Sequence, residues 1–82
     1  MDDYTAKEIE CIARLYSDYE NTKACELKDY KIDFDMALKR LDTEAQSAVL
    51  EFIEDCRYGY LGSVKEGLVE IFNTMANYLN GG

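Results

Sequence analysis

The side chains with chemical potential in this chain are carboxylates, thiols and hydroxyls; imidazole is absent. The 82 residues include 17 Asp and Glu, three cysteines and no histidine. The commonest general base is therefore missing. Glu54 and Asp55 are paired carboxylates, but their helical spacing sets them on a solvated face, where like-charged neighbours are ordinary. Ser17, Ser47 and Ser63 lack the G-x-S-x-G setting of an exposed nucleophile, and Ser63 reads better as a helix cap. Gly59, Gly62 and Gly67 flank helix starts and stops and form no phosphate-cradling loop. Asp33 and Asp35 lack the glycine and the distal glutamate of a calcium loop.

Cys11, Cys25 and Cys56 are odd in number, widely spaced and without a CxxC pair. Zinc held within one chain would take its fourth ligand from a carboxylate, which is uncommon for a structural site. The thiols therefore read as reduced and chemically idle. The expectation is a non-enzymatic protein with no catalytic residue, no metal and no cofactor.

Charge is the strongest compositional signal. The formal net charge is −8. Residues 1–22 hold six acids and two bases, residues 23–40 four acids and five bases, and residues 41–82 seven acids and two bases. Phosphate binding runs on Lys and Arg, so direct nucleic-acid binding is not expected. Such charge keeps a protein soluble, and it also suits docking onto a basic surface. No apolar run approaches the roughly 20 residues that cross a bilayer, and Met1-Asp2-Asp3-Tyr4 is acidic where a secretory leader is basic. No membrane partner and a cytoplasmic location are expected.

The elements that would carry these side chains are helical. Thr5-Ala6-Lys7-Glu8 reads as a capping box, followed by Ile9, Ile12, Ala13 and Tyr16 at helical spacing, so helix one should run from residue 5 to about 20. Asn21-Thr22 is a plausible stop, but Lys23 to Tyr30 is also compatible with helix. Tyr30 to Asp35 alternates apolar and charged residues. With no second alternating segment to pair with, it reads as an extended connector ending on Asp33 as an N-cap, with a strand at an intermolecular edge as the alternative. A short helix then buries Phe34, Ala37, Leu38 and Leu41. Thr43-Glu44-Ala45-Gln46 is a second box, opening a helix whose apolar face is Ala45, Ala48, Val49, Phe52, Ile53 and Cys56, closed by Gly59. Ser63-Val64-Lys65-Glu66 is a third box. The final helix presents Val64, Leu68, Ile71, Phe72, Met75 and Leu79, and Gly67 within it marks a close approach of helices. The fold expected is all-α: one domain over residues 1–82, a compact bundle of three to four helices.

On that frame the third helix sets Glu44, Glu51, Glu54 and Asp55 opposite its apolar stripe, and Tyr58 and Tyr60 follow at the turn. Tyrosine offers large contact area at low entropic cost and is enriched in interfaces. These six residues are the candidate partner-binding set. The partner expected is a protein, with a basic nucleic-acid-binding surface; homo-oligomerisation stays open.

Two resemblances bear on function. Phe34-Asp35-Met36-Ala37-Leu38-Lys39-Arg40-Leu41-Asp42, then Ala48-Val49-Leu50 through Arg57-Tyr58, resembles the run before the helix-turn-helix in region 4 of sigma-70-type factors and related phage regulators. Leu68, Phe72, Met75-Ala76 and Leu79 are similar to the apolar spacing of their recognition helix. The motif is shortened here, with seven residues between Tyr60 and Leu68, and non-basic. The resemblance implies a relative that kept the scaffold and lost DNA binding, or a transcriptional regulator of that class. In size and charge alone the chain also resembles small phage-encoded inhibitors, among them anti-CRISPR proteins and inhibitors of host polymerase. That likeness implies an inhibitor or adaptor whose acidic surface occupies a basic site. A structural or assembly subunit is the third reading.

Overall fold

The computed structural model describes residues 4–16, 25–60 and 62–81, with the backbone alone for residues 25–28. Four helices make up the fold among these residues: α1 (Ala6–Arg14), α2 (Cys25–Lys39), α3 (Thr43–Arg57) and α4 (Glu66–Leu79), with no strand. The expected all-α bundle is what the chain forms.

Helix α1 opens as its sequence requires. The Thr5 hydroxyl oxygen accepts from the Glu8 amide at 3.2 Å, with Thr5 in extended backbone. The Glu8 carboxylate does not return to the cap's amide but accepts from the Thr5 hydroxyl, also at 3.2 Å. The helix stops earlier than expected, at Arg14, with Leu15 as its C-cap. The question of a break at Asn21-Thr22 falls outside the described residues.

The extended connector ending on Asp33 is overturned, for α2 runs through residues 30–35 without interruption. Alternation misleads here because only one of its apolar residues faces inward. Phe34 is fully buried, while Tyr30 and Ile32 are exposed, Ile32 by 54%. Asp33 and Asp35 serve as acceptors for tyrosines that flank the first helix. The Tyr4 hydroxyl donates to Asp33 at 2.7 Å and the Tyr16 hydroxyl to Asp35 at 2.6 Å. Asp33 is therefore a mid-helix anchor and caps nothing.

The second capping box is displaced by one residue. Asp42 is the N-cap of α3, its carboxylate accepting from the Ala45 amide at 2.8 Å. Its negative charge also suits the positive end of the helix dipole, which the Thr43 hydroxyl could not match. Gln46 turns back to donate to the Leu41 carbonyl at 2.8 Å. At the other end Gly59 adopts φ +96°, with its amide on the Cys56 carbonyl and the Tyr60 amide on the Asp55 carbonyl, both at 3.0 Å. This crossed pair is the Schellman closure that a left-handed glycine permits.

Ser63 is not the cap of α4. Lys65 holds that position without a side-chain bond, and the Ser63 carbonyl accepts from the Tyr60 hydroxyl at 2.9 Å. The turn closes on itself through Tyr60, and the helix starts two residues later than a Ser63 cap would place it. Gly67 marks no close approach either: a Cβ there would meet nothing within 4 Å.

The core draws on all four helices: Ile9, Ile12 and Ala13; Phe34 and Ala37 with Leu41 just beyond α2; Val49, Phe52 and Ile53; and Phe72, Met75 and Ala76. Phe52 and Phe72 meet edge-on at 5.7 Å, and the Arg14 guanidinium covers the Phe52 ring at 5.2 Å. Leu68, placed by its spacing on the apolar face of the last helix, is only partly buried. Asn80 ties the chain's two ends together, accepting from the Tyr4 amide at 2.7 Å and donating to the Tyr4 carbonyl at 2.8 Å.

Candidate functional site

Helix α4 packs most extensively along α1, and α3 meets it less closely. The space left between α3 and α4 is an open groove of about 550 Å³. Its floor is apolar, made by Ala45, Ala48 and Phe52 from α3 and by Val64, Leu68 and Ile71 from the α4 side. Small residues on α3 face half-buried aliphatic ones at the start of α4 across the groove, while Phe52 and Phe72 bring the two helices into contact.

The rim is acidic. Glu44, Glu51 and Asp55 recur along α3 at the spacing that keeps residues on one helical face, and all three are exposed and border the groove. Asp42 joins them from the cap of α3, while Lys65 is the single cation among the lining residues. Tyr60 closes one end, its hydroxyl held by the Ser63 carbonyl. Arg14 steadies this end from below: it pairs with Glu10 at 3.0 Å and donates to the Gly62 carbonyl at 2.9 Å. A smaller hollow of about 280 Å³ continues past Asp42, Ala45, Gly67 and Ile71 toward Glu70 and Tyr78.

Of the six residues expected to form the partner-binding set, Glu44, Glu51, Asp55 and Tyr60 come together on this groove, and Glu54 and Tyr58 lie outside it. Glu54 sits on the next face of α3 and pairs with Arg57 at 3.4 Å. Tyr58 is the C-cap of α3 and is 82% exposed. The acids also do not stand opposite the apolar stripe. Glu44, Glu51 and Asp55 run along its edge, where their spacing around the helix places them, and Glu54 lies farther round. Asp42 and the apolar floor were missed as site residues. The signal for them was the Ala45 and Ala48 pair, where the apolar face of α3 loses its volume.

Neither Cys11 nor Cys56 joins the site. Cys11 and Cys56 are free, Cys11 exposed and Cys56 half-buried. Burial pushes the Cys56 thiol above its usual range, against a smaller opposing pull from Arg14. Among the described residues no cluster of three or more Cys, Asp or Glu side chains could hold a metal ion, and no helix is long and apolar enough to cross a membrane.

The class of molecule defined by these features is a small acidic all-α bundle with an apolar, acid-rimmed groove. Compared with known proteins, the chain matches no family model, no curated protein and no solved structure.

Proposed function

We propose that this chain is a non-enzymatic protein-binding inhibitor or adaptor, which sets the acidic side of α3 against a basic, nucleic-acid-binding surface of a partner protein. One observation carries the reading: Glu44, Glu51 and Asp55 line up, exposed, along one edge of an apolar groove. Acids so arranged act at long range to steer encounter, and adjoining apolar surface holds the complex once formed. The net charge of −8 extends the same field over the whole molecule. A partner whose site is built for phosphates meets there the charge it normally recognises, without a nucleic acid being present.

The test is affinity capture on two resins, one carrying the wild-type chain and one the double variant Glu51→Lys with Asp55→Lys. Proteins retained by the first, lost from the second and released by rising salt are the expected result. Duplex DNA should compete with this chain for the captured protein. Identical retention by both resins would contradict the reading. Tight, salt-sensitive binding of the isolated chain to duplex DNA would favour a regulator instead.

A further inference from the structure

We propose that the α3–α4 groove receives a basic amphipathic helix of the partner, its apolar face on Ala48, Phe52 and Leu68 and its Lys or Arg residues against Glu44, Glu51 and Asp55. This rests on the reading of the α3 acids as a partner-binding edge and names what that edge binds. Charge complementarity gives the first argument. Four acids and one lysine border the main groove, and the smaller hollow adds Glu70. A second copy of this chain, itself at −8, would meet that rim with like charge. Length gives the second: from Glu44 to Asp55 the α3 wall runs about 16 Å, or roughly three helical turns.

Backbone chemistry separates a helix from an extended segment. The walls of the groove are two helices whose interior amides and carbonyls are engaged within themselves. An extended segment laid along them would bring its own unpaired N–H and C=O groups against helix interiors with none to offer, leaving as backbone partners only the turn at residues 63–65 and the first amides of α4, which carry no side-chain cap. A helix arrives with its backbone bonds already made, and needs only apolar anchors at helical spacing. Gly67, on the border between the main groove and its continuation, leaves the mouth open, since a Cβ there would meet nothing within 4 Å.

The test uses the full chain and a fluorescein-labelled peptide of two Leu-Lys-Lys-Leu-Leu-Lys-Leu repeats, whose leucines share one helical face. A control of the same composition is rearranged toward strict Leu-Lys alternation. Binding is followed by fluorescence anisotropy. Gly67→Phe fills the mouth from an unobstructed position, and Ala48→Phe fills the floor; thermal melting checks that each is folded. The expected result is binding of the helical peptide in preference to the control, weakened about tenfold or more by either filling variant, a loss of roughly 1.4 kcal/mol. Glu51→Lys should weaken it in a salt-dependent way. Failure of the wild type to bind the helical peptide overturns the proposal. So does equal binding of the alternating control, which would mark an extended occupant. Self-association relieved by Gly67→Phe would mark a second copy and overturn it as well. If both filling variants bind like wild type while Glu51→Lys still weakens, the groove is not the seat and the acidic-edge reading stands. If Glu51→Lys has no effect either, that reading falls too.

Discussion

Tyr16 shows how one side chain secures two segments. Its ring packs against Phe34 at 5.4 Å, its hydroxyl donates to Asp35, and Lys31 bridges to the same carboxylate at 2.9 Å while lying over the ring. Burial, then the bond to Asp35, push the phenol up to about 12, from an ordinary value near 10. Tyr4, bonded to Asp33, is raised in the same direction for the same reasons. The folded state therefore holds the phenolic proton more tightly than the unfolded chain does. Its stabilising effect is complete below about pH 10 and is lost as pH climbs toward about 12. Tyr16→Phe should be less stable than wild type at neutral pH and should lose less further stability across that alkaline window. Thermal melts at stepped pH would check this. Parallel loss in both proteins would show that the Tyr16 proton does not matter.

Helix boundaries were legible where one residue dominates the local chemistry and not where several compete. Thr5 and Gly59 do what their types suggest, since no neighbour offers a better cap or an easier left-handed turn. Asp42 displaced Thr43 because a carboxylate caps better than a hydroxyl, and Ser63 lost its role to a contact made by Tyr60. The alternating Tyr30 to Asp35 run misled because its aspartates bond to tyrosines more than a dozen residues away in sequence, which no local pattern records. The candidate site was half legible. Spacing along α3 identified its acidic edge, but the groove beside that edge depends on how α3 and α4 pack, which no spacing within one helix records. Two glycines give a paired prediction at this scale. Gly59→Ala should destabilise by about 1–2 kcal/mol, because φ +96° is costly for any residue with a Cβ. Gly67→Ala, in open helix, should stabilise by about 0.5–1 kcal/mol. Urea denaturation of both variants would test the opposite signs; matching signs would mean that one backbone assignment is wrong.

Over the whole molecule, a compact core supports a surface of one dominant sign. The Cα radius of gyration is 12.0 Å, close to the ~12 Å of a compact chain of this length. Phe52 is central to that compactness, lying between Arg14 and Phe72 and also lining the groove. Phe52→Ala should cost about 3–5 kcal/mol, a large share of the stability of so small a domain. Calorimetric melting would read it, and a midpoint within a degree or two of wild type would show that α3 faces another way. The acidic edge is the part of this surface on which the functional account rests. Surface plasmon resonance against a partner retained by the wild-type resin, at low and at physiological salt, tests it most directly. Glu51→Lys with Asp55→Lys should slow association about tenfold or more at low salt, with dissociation little changed and the gap closing as salt rises. Association rates equal to wild type at both salt concentrations would contradict the account.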